Sequence, residues 1–259
     1  MTRIALGLEY DGAAFNGWQK QPNAPSVQAA LEAALAEIAG LPVATICAGR
    51  TDSGVHAAGQ VVHFDCPAVR PLSAWIRGVN RHLPDHVAVL WAKEVPDDFH
   101  ARFAALSRRY RYLLCNRASR PGLEAGRIGW CFDPLDLQAM QEAAALLIGE
   151  HDFSAFRAAE CQAHSPVRRM SKADVRQCGE RFVFEFEANA FLQHMVRNLV
   201  GALVYVGKGR WDRPHFAQVL ACRDRALSAP TFAPDGLYFL GATYAPAWGL
   251  PGPATFLTP

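Results

Sequence analysis

Lysine is scarce in this 259-residue chain: it supplies 4 of the 26 basic residues, and arginine supplies the other 22. Arginine grips phosphates bidentately and stacks on bases, which suits nucleic acid, although genomic base composition is enough to explain the bias alone. No run of about 18 uninterrupted apolar residues occurs, which argues against a membrane-spanning helix. Seven cysteines are present, Cys47, Cys66, Cys115, Cys131, Cys161, Cys178 and Cys222. Their number is odd and none falls in C-x-x-C spacing, which speaks against a disulfide framework or a zinc site. Charged residues reach only 19% against 51% hydrophobic, the reverse of a disordered chain. The opening MTRIALGLEYDG alternates and carries Glu9 and Asp11, so it reads as a first strand rather than a signal peptide. A cytoplasmic protein with no membrane partner is expected.

What is present is a rhythm of strands and helices. Ile4, Leu6, Leu8 and Tyr10 alternate as on a strand. Ser26 is placed to cap a helix in which Val27, Leu31, Leu35 and Ile38 recur at helical spacing, and Gly40 ends it. Residues 42–49 and 59–65 are β-rich, and helix 71–82 and strand 86–95 follow. The order strand, helix, strand, strand, helix, strand predicts a ferredoxin-like αβ sandwich. The second half repeats the theme with strand 107–115, helix 135–148, strands 166–176 and 181–188, a long helix over roughly 190–206, a helix at 213–223 and a last strand at 236–244. The expectation is an α+β protein of two ferredoxin-like (RRM-like) units with mainly antiparallel sheets around a central cleft. Residues 1–115 and 116–259 would be the two domains, with 116–126 as the boundary. The tail after Ala245 reads as irregular.

Three segments carry candidate chemistry. In Gly49-Arg50-Thr51-Asp52-Ser53-Gly54-Val55-His56, two glycines bracket an acid, and a tight loop would present Asp52 from the end of a strand. A plain Asx turn with Arg50 in solvent is the alternative. The helix around Phe191–Val206 is apolar on nearly every side and therefore buried. Arg197 sits in its middle, and a buried guanidinium calls for a carboxylate. Asp52, Glu9, Asp11 and Glu187 all qualify, and a reach to the surface is also open. On a strand, Arg109 and Arg111 face one side while Tyr110 and Tyr112 face the other, a pattern that suits an RNA backbone and a stacked base or simply a Tyr-lined core. His56, His63 and Asp65 hint at a metal, but VVHFD fits a strand better.

Taken in order, LEYDG with GWQ, AGRTDSGVHA with GQVVHF, VPDDFHARFAA with RRYRY, FRAAECQ, and NAFLQHMVRNLVG resemble the tRNA pseudouridine synthases of the TruA type across roughly residues 3–244. The resemblance implies isomerisation of uridine to pseudouridine at positions thirty-eight to forty of the tRNA anticodon arm, with base flipping, no cofactor and no metal, by a homodimer. By matched position it implies Asp52 as the catalytic aspartate, usually drawn as a nucleophile, and Arg197 as its basic partner. Tyr110 would stack on the target base, Leu237 would line the base pocket, and Arg50 would hold the nucleotide flipped out. Arg70 and Phe99, His100, Ala101, Arg102 and Phe103 match RNA-contacting positions. So does the loop Glu160, Cys161, Gln162, Ala163 and His164, although Glu160 and His164 depart from the uncharged and basic residues of the family pattern. Two other classes fit the residues in isolation. A non-catalytic RNA-binding module would use the same sheet. A glycoside or nucleoside hydrolase would use Asp52 but would need a second acid, and no partner carboxylate lies near the loop in sequence.

Overall fold

The computed structural model describes residues 1–253, and the last six residues of the expected irregular tail lie outside the described residues. The strands and α-helices, in chain order, are β1 Thr2–Tyr10, α1 Val27–Ala39, β2 Ile46–Cys47, β3 His56–Cys66, α2 Val79–His82, β4 Val87–Val95, β5 Ala105–Asn116, β6 Gly129–Cys131, α3 Leu137–Ala145, β7 Gly149–Asp152, β8 Val167–Cys178, β9 Arg181–Ala188, α4 Met195–Gly207, α5 Arg213–Cys222 and β10 Leu237–Tyr244. The protein is therefore mixed α+β. The chain divides into two compact units, one of Met1–Arg108 with the stretch from Tyr238 on, the other of Arg109–Leu237. Among the described residues no helix is long and apolar enough to cross a membrane.

In the first unit β1 runs antiparallel to both β4 and β3. β3 also takes β2 antiparallel at Ile46↔His63 and β10 parallel at Tyr238↔His56. Ile4, Leu6 and Leu8 are buried as the alternation predicts, together with Val27, Leu31 and Leu35 of α1. Ser26 caps α1 by accepting a hydrogen bond from Ala29 N at 3.3 Å, and Gly40 closes it in the left-handed conformation, φ 74°. Two expectations needed correction. The β-rich stretch 42–49 yields only a two-residue strand. Thr45 donates its backbone N–H and its hydroxyl to Glu32 Oε1 of α1, at 2.9 and 3.1 Å, so a side chain replaces the ladder there. The helix expected at 71–82 begins as a π-helical turn, Ala74–Gly78, before α2.

The second unit has the strand order β5-β9-β8-β7, with β6 parallel on β5. Phe182, Phe184 and Phe186 of β9 are wholly buried. The long helix starts at Met195 rather than near 190. His194 holds φ 61°, ψ 0°, a left-handed conformation that no α-helix can propagate through. Most of α4 is buried, as its all-round apolar surface predicts.

The alternation Arg109-Tyr110-Arg111-Tyr112 is present on β5, but its basic face is not simply solvated. Glu185 of β9, 3% exposed, accepts from Arg109 Nη2 at 2.9 Å and Arg111 Nε at 3.0 Å, and it also binds Lys172. Arg176 approaches to 3.8 Å. Burial alone would push the Glu185 carboxyl up. Hydrogen bonds from Lys172, Arg109 and Arg111 outweigh that and hold it down at about 2.

Glu185→Gln takes the negative charge away from Arg109, Lys172 and Arg111, the last with a side chain only 5% exposed. The expected loss is about 3–5 kcal/mol of unfolding free energy at neutral pH, read from urea denaturation. A group depressed in the folded state stabilises above its unfolded value and loses that effect as pH falls through the folded one. The gap between wild type and variant should therefore close as pH drops from 4.5 towards 2. A pH-independent gap would contradict the ion cluster.

Candidate active site

In the first unit the stretch between β2 and β3 has no ladder of its own, so side chains and neighbouring loops must shape it. Asp52 to Val55 forms a tight turn, with Val55 N donating to Asp52 O at 3.1 Å. The segment 15–18 backs it. Trp18 N donates to Thr51 O at 3.0 Å, and Gly54 N donates to Phe15 O at 3.3 Å. Gly17 sits at φ 93°, and a Cβ there would lie 2.7 Å from Thr51 O and 3.0 Å from the Asp52 carbonyl carbon. Glycine is required both for the backbone angle and for the close approach. The result is a turn in which Thr51 is buried, Asp52 half-buried, and Arg50 and Ser53 exposed. Behind the turn, Gly12 N donates to His56 Nδ1 at 3.0 Å, and the His56 ring stacks on Tyr238 at 4.7 Å.

The FHARF segment lies in the same unit and splits into two roles. Phe99 and Ala101 are wholly buried. Phe99 packs against Tyr244 and Trp248, while Ala101 donates N–H to His63 Nδ1 at 3.2 Å and accepts from Tyr244 at 2.6 Å. Those two side chains therefore face the core of the unit. Phe103 is 76% exposed. His100 stacks on it at 4.2 Å, and the Arg102 guanidinium lies 5.6 Å from its centroid. These three form an open aromatic and cationic platform. Burial and the Arg3 charge lower the His100 pKa. Burial, with His100 and Arg3 nearby, holds His63 at about 4. Arg70 is exposed and caps the end of α1, donating to Ile38 O at 3.1 Å. Of the hinted metal set, His63 accepts from Ala101 and Asp65 pairs with Arg3 at 2.7 Å. Among the described residues no three His, Cys, Asp or Glu side chains group as a metal site would need.

In the second unit Tyr110 is 9% exposed and meets Phe191 edge-on at 5.0 Å. The segment 232–237 links the other expected residues. Arg197 Nε donates to Phe232 O at 2.8 Å. Tyr112 donates to Ala233 O at 2.9 Å, and Leu113 N donates to Gly236 O at 2.8 Å. Buried Leu237 follows, its N–H on Pro234 O at 2.8 Å. α4, β5 and this segment thus bring Arg197, Leu237 and the Tyr110 strand into one neighbourhood. The loop 160–164 is organised by Arg157, which the sequence reading passed over. Its guanidinium donates to Cys161 O and, at 3.1 Å, to Ala163 O. Glu160, Gln162 and His164 are left exposed while Cys161 is buried. Burial would raise the Cys161 thiol, but hydrogen bonds from Ala163 and Gln193 and the Arg157 charge bring it below its ordinary value.

Comparison with known proteins adds a second line of information. The family profile described as tRNA pseudouridine synthase matches residues 8–104 and 143–245. The chain is 64% identical over 251 residues to tRNA pseudouridine synthase A of Dechloromonas aromatica (strain RCB), covering 97% of this chain and 96% of that one. It is 61% identical over 250 residues to the protein of the same name from Aromatoleum aromaticum (strain DSM 19018 / LMG 30748 / EbN1), covering 96% and 95%. A solved structure, the crystal structure of a Cbf5-Nop10-Gar1 complex, aligns at 13% identity and TM-score 0.37 over 91% of this chain and 48% of that one. That likeness is too weak to carry an argument.

Gly17→Ala should disturb the Asp52 loop directly. A left-handed φ and a contact under 3 Å together cost more than about 1 kcal/mol. The Trp18 amide, bound to Thr51 O, should exchange with deuterium faster than in the wild type. Unchanged exchange and stability would show that the loop does not lean on Gly17.

Proposed function

Because this chain belongs to the tRNA pseudouridine synthase family, and is thereby an isomerase acting on tRNA uridines, we propose that its target is the anticodon arm at positions thirty-eight to forty, with Asp52 carrying the reaction. The observation that supports this most is the fixed turn that leaves the Asp52 side chain half-exposed beside exposed Arg50, inside the first block matched by the family profile.

The reaction breaks the bond between N1 and C1′, turns the uracil and rejoins it through C5. The C5 proton leaves and N1 gains one, so no oxidant or reductant enters and no cofactor is called for. A glycosidic carbon within a stacked helix is out of reach, so the nucleotide is flipped out first. Asp52 acts ionised, as the nucleophile. By the family resemblance Arg197 is the basic partner assigned to favour that charge and orient it. Tyr110 gives the uracil a stacking face and Leu237 an apolar wall. Arg50 keeps the flipped nucleotide out. His100, Arg102 and Phe103, with Arg70 and the exposed residues of loop 160–164, contact RNA backbone and loop bases, which positions the substrate without reading sequence. We read each unit as ferredoxin-like, which the neighbours β4-β1-β3, with β2 on β3, support for the first. The enzyme works as a cytoplasmic homodimer, in keeping with its family resemblance.

Asp52→Asn should abolish pseudouridine formation and leave tRNA affinity nearly unchanged, measured by tritium release from labelled uridine and by filter binding. Full turnover by that variant would rule the mechanism out. Release of free uracil would instead mark a hydrolase.

Tyr110→Phe should lower single-turnover rate far more than affinity, because the stacking ring survives and the hydroxyl does not. Wild-type rates would show the hydroxyl to be idle.

A further inference from the structure

Two strand residues reach the loop through buried hydrogen bonds. Gln60 of β3 is fully buried, and Tyr10, at the end of β1, is 4% exposed. Three hydrogen bonds fix the Gln60 amide here. Nε2 donates to Gly49 O at 2.6 Å and to the Tyr10 hydroxyl at 3.4 Å, while Oε1 accepts from Gly49 N at 3.4 Å. Only this orientation of the amide satisfies all three. Since the Tyr10 oxygen accepts from Gln60, its proton is free for Thr51 Oγ1, 2.8 Å away. Burial raises the Tyr10 pKa, so that proton is retained. Thr51 is itself 6% exposed.

The chain is thus pinned at Gly49 and at Thr51, the two residues flanking Arg50, and Asp52 leaves the second pin directly. A buried amide and phenol are a costly way to fill this space. A Met and a Phe would occupy similar volume without any polar group to satisfy. The polar pair gains only if the loop backbone is in one register.

We propose that Tyr10 and Gln60, acting through Thr51 and Gly49, are positioning residues that set where the Asp52 carboxylate meets the uridine sugar. This rests on Asp52 being the catalytic nucleophile. They bind no substrate, and their effect belongs to the chemical step rather than to RNA capture. A displaced reactive group costs rate steeply, on the order of a hundredfold for about 1 Å.

The test is single-turnover pseudouridine formation at saturating tRNA, with RNA affinity measured in parallel, for Y10F, T51V, T51S, the Y10F/T51V pair and D52N. Y10F and T51V each remove one partner of the same hydrogen bond. Each should slow the chemical step roughly ten- to a hundredfold with affinity unchanged, and the double variant should be no slower than the worse single one. T51S keeps the hydroxyl and should recover most of the rate. Wild-type rates for both Y10F and T51V beside an inactive D52N would overturn the proposal. So would T51S as slow as T51V, which would assign the effect to side-chain shape. Should Y10F fail to fold, the T51V and T51S comparison decides alone. Wild-type turnover by D52N would instead remove the Asp52 reading itself, a separate outcome.

Discussion

A carboxylate that reacts must be aimed, and Asp52, proposed for that role, stands on a stretch of chain with no regular structure. Everything proposed for this protein depends on how that stretch is made rigid. The answer lies in buried polar contacts. Gln60 closes on both backbone groups of Gly49, Tyr10 on the Thr51 hydroxyl, and Trp18 on the Thr51 carbonyl. Hydrogen bonds like these contribute little net stability while paired and cost much when orphaned. They therefore specify one geometry more than they add to folding. Gly17 completes the arrangement by letting its backbone lie against Thr51 and Asp52, where any side chain would intrude.

The second unit solves a related problem with charge. β5 presents tyrosines to one side and arginines to the other. The tyrosine side meets Phe184, Phe191 and Phe232. The arginine side closes on Glu185, one carboxylate serving several cations. The strand carrying Tyr110 is thus held from both faces, by rings on one and by an ion cluster on the other. Arg197 is fastened through Phe232 O to the same segment that leads into Leu237, so the two residues share a support.

Much of this could be read from residues alone, and the failures have physical causes. Ser26, Gly40 and the spacing of Val27, Leu31 and Leu35 announced α1 because capping and periodicity are local properties. The alternation on β5 was equally plain. The partner of its arginines was not, because Glu185 lies more than seventy residues away in sequence and nothing local marks it. α4 starts later than its apolar run suggests, because a left-handed His194 leaves no compositional trace. FHARF looks like one block in sequence, but a turn splits its side chains, burying Phe99 and Ala101 and exposing Phe103. Asp52 stood out because glycines and an arginine surround it. Gln60 and Tyr10 did not, because a glutamine inside VVHF-like alternation looks like any strand residue until its amide is seen closing on Gly49.

The central claim is that this chain makes pseudouridine in tRNA. A carbodiimide map of pseudouridine in tRNA from cells with and without the gene tests it most directly. The account predicts that the modification at anticodon-arm positions thirty-eight to forty disappears with the gene and returns when it is restored. Those positions staying modified in its absence, with no change elsewhere in the tRNA, would contradict it.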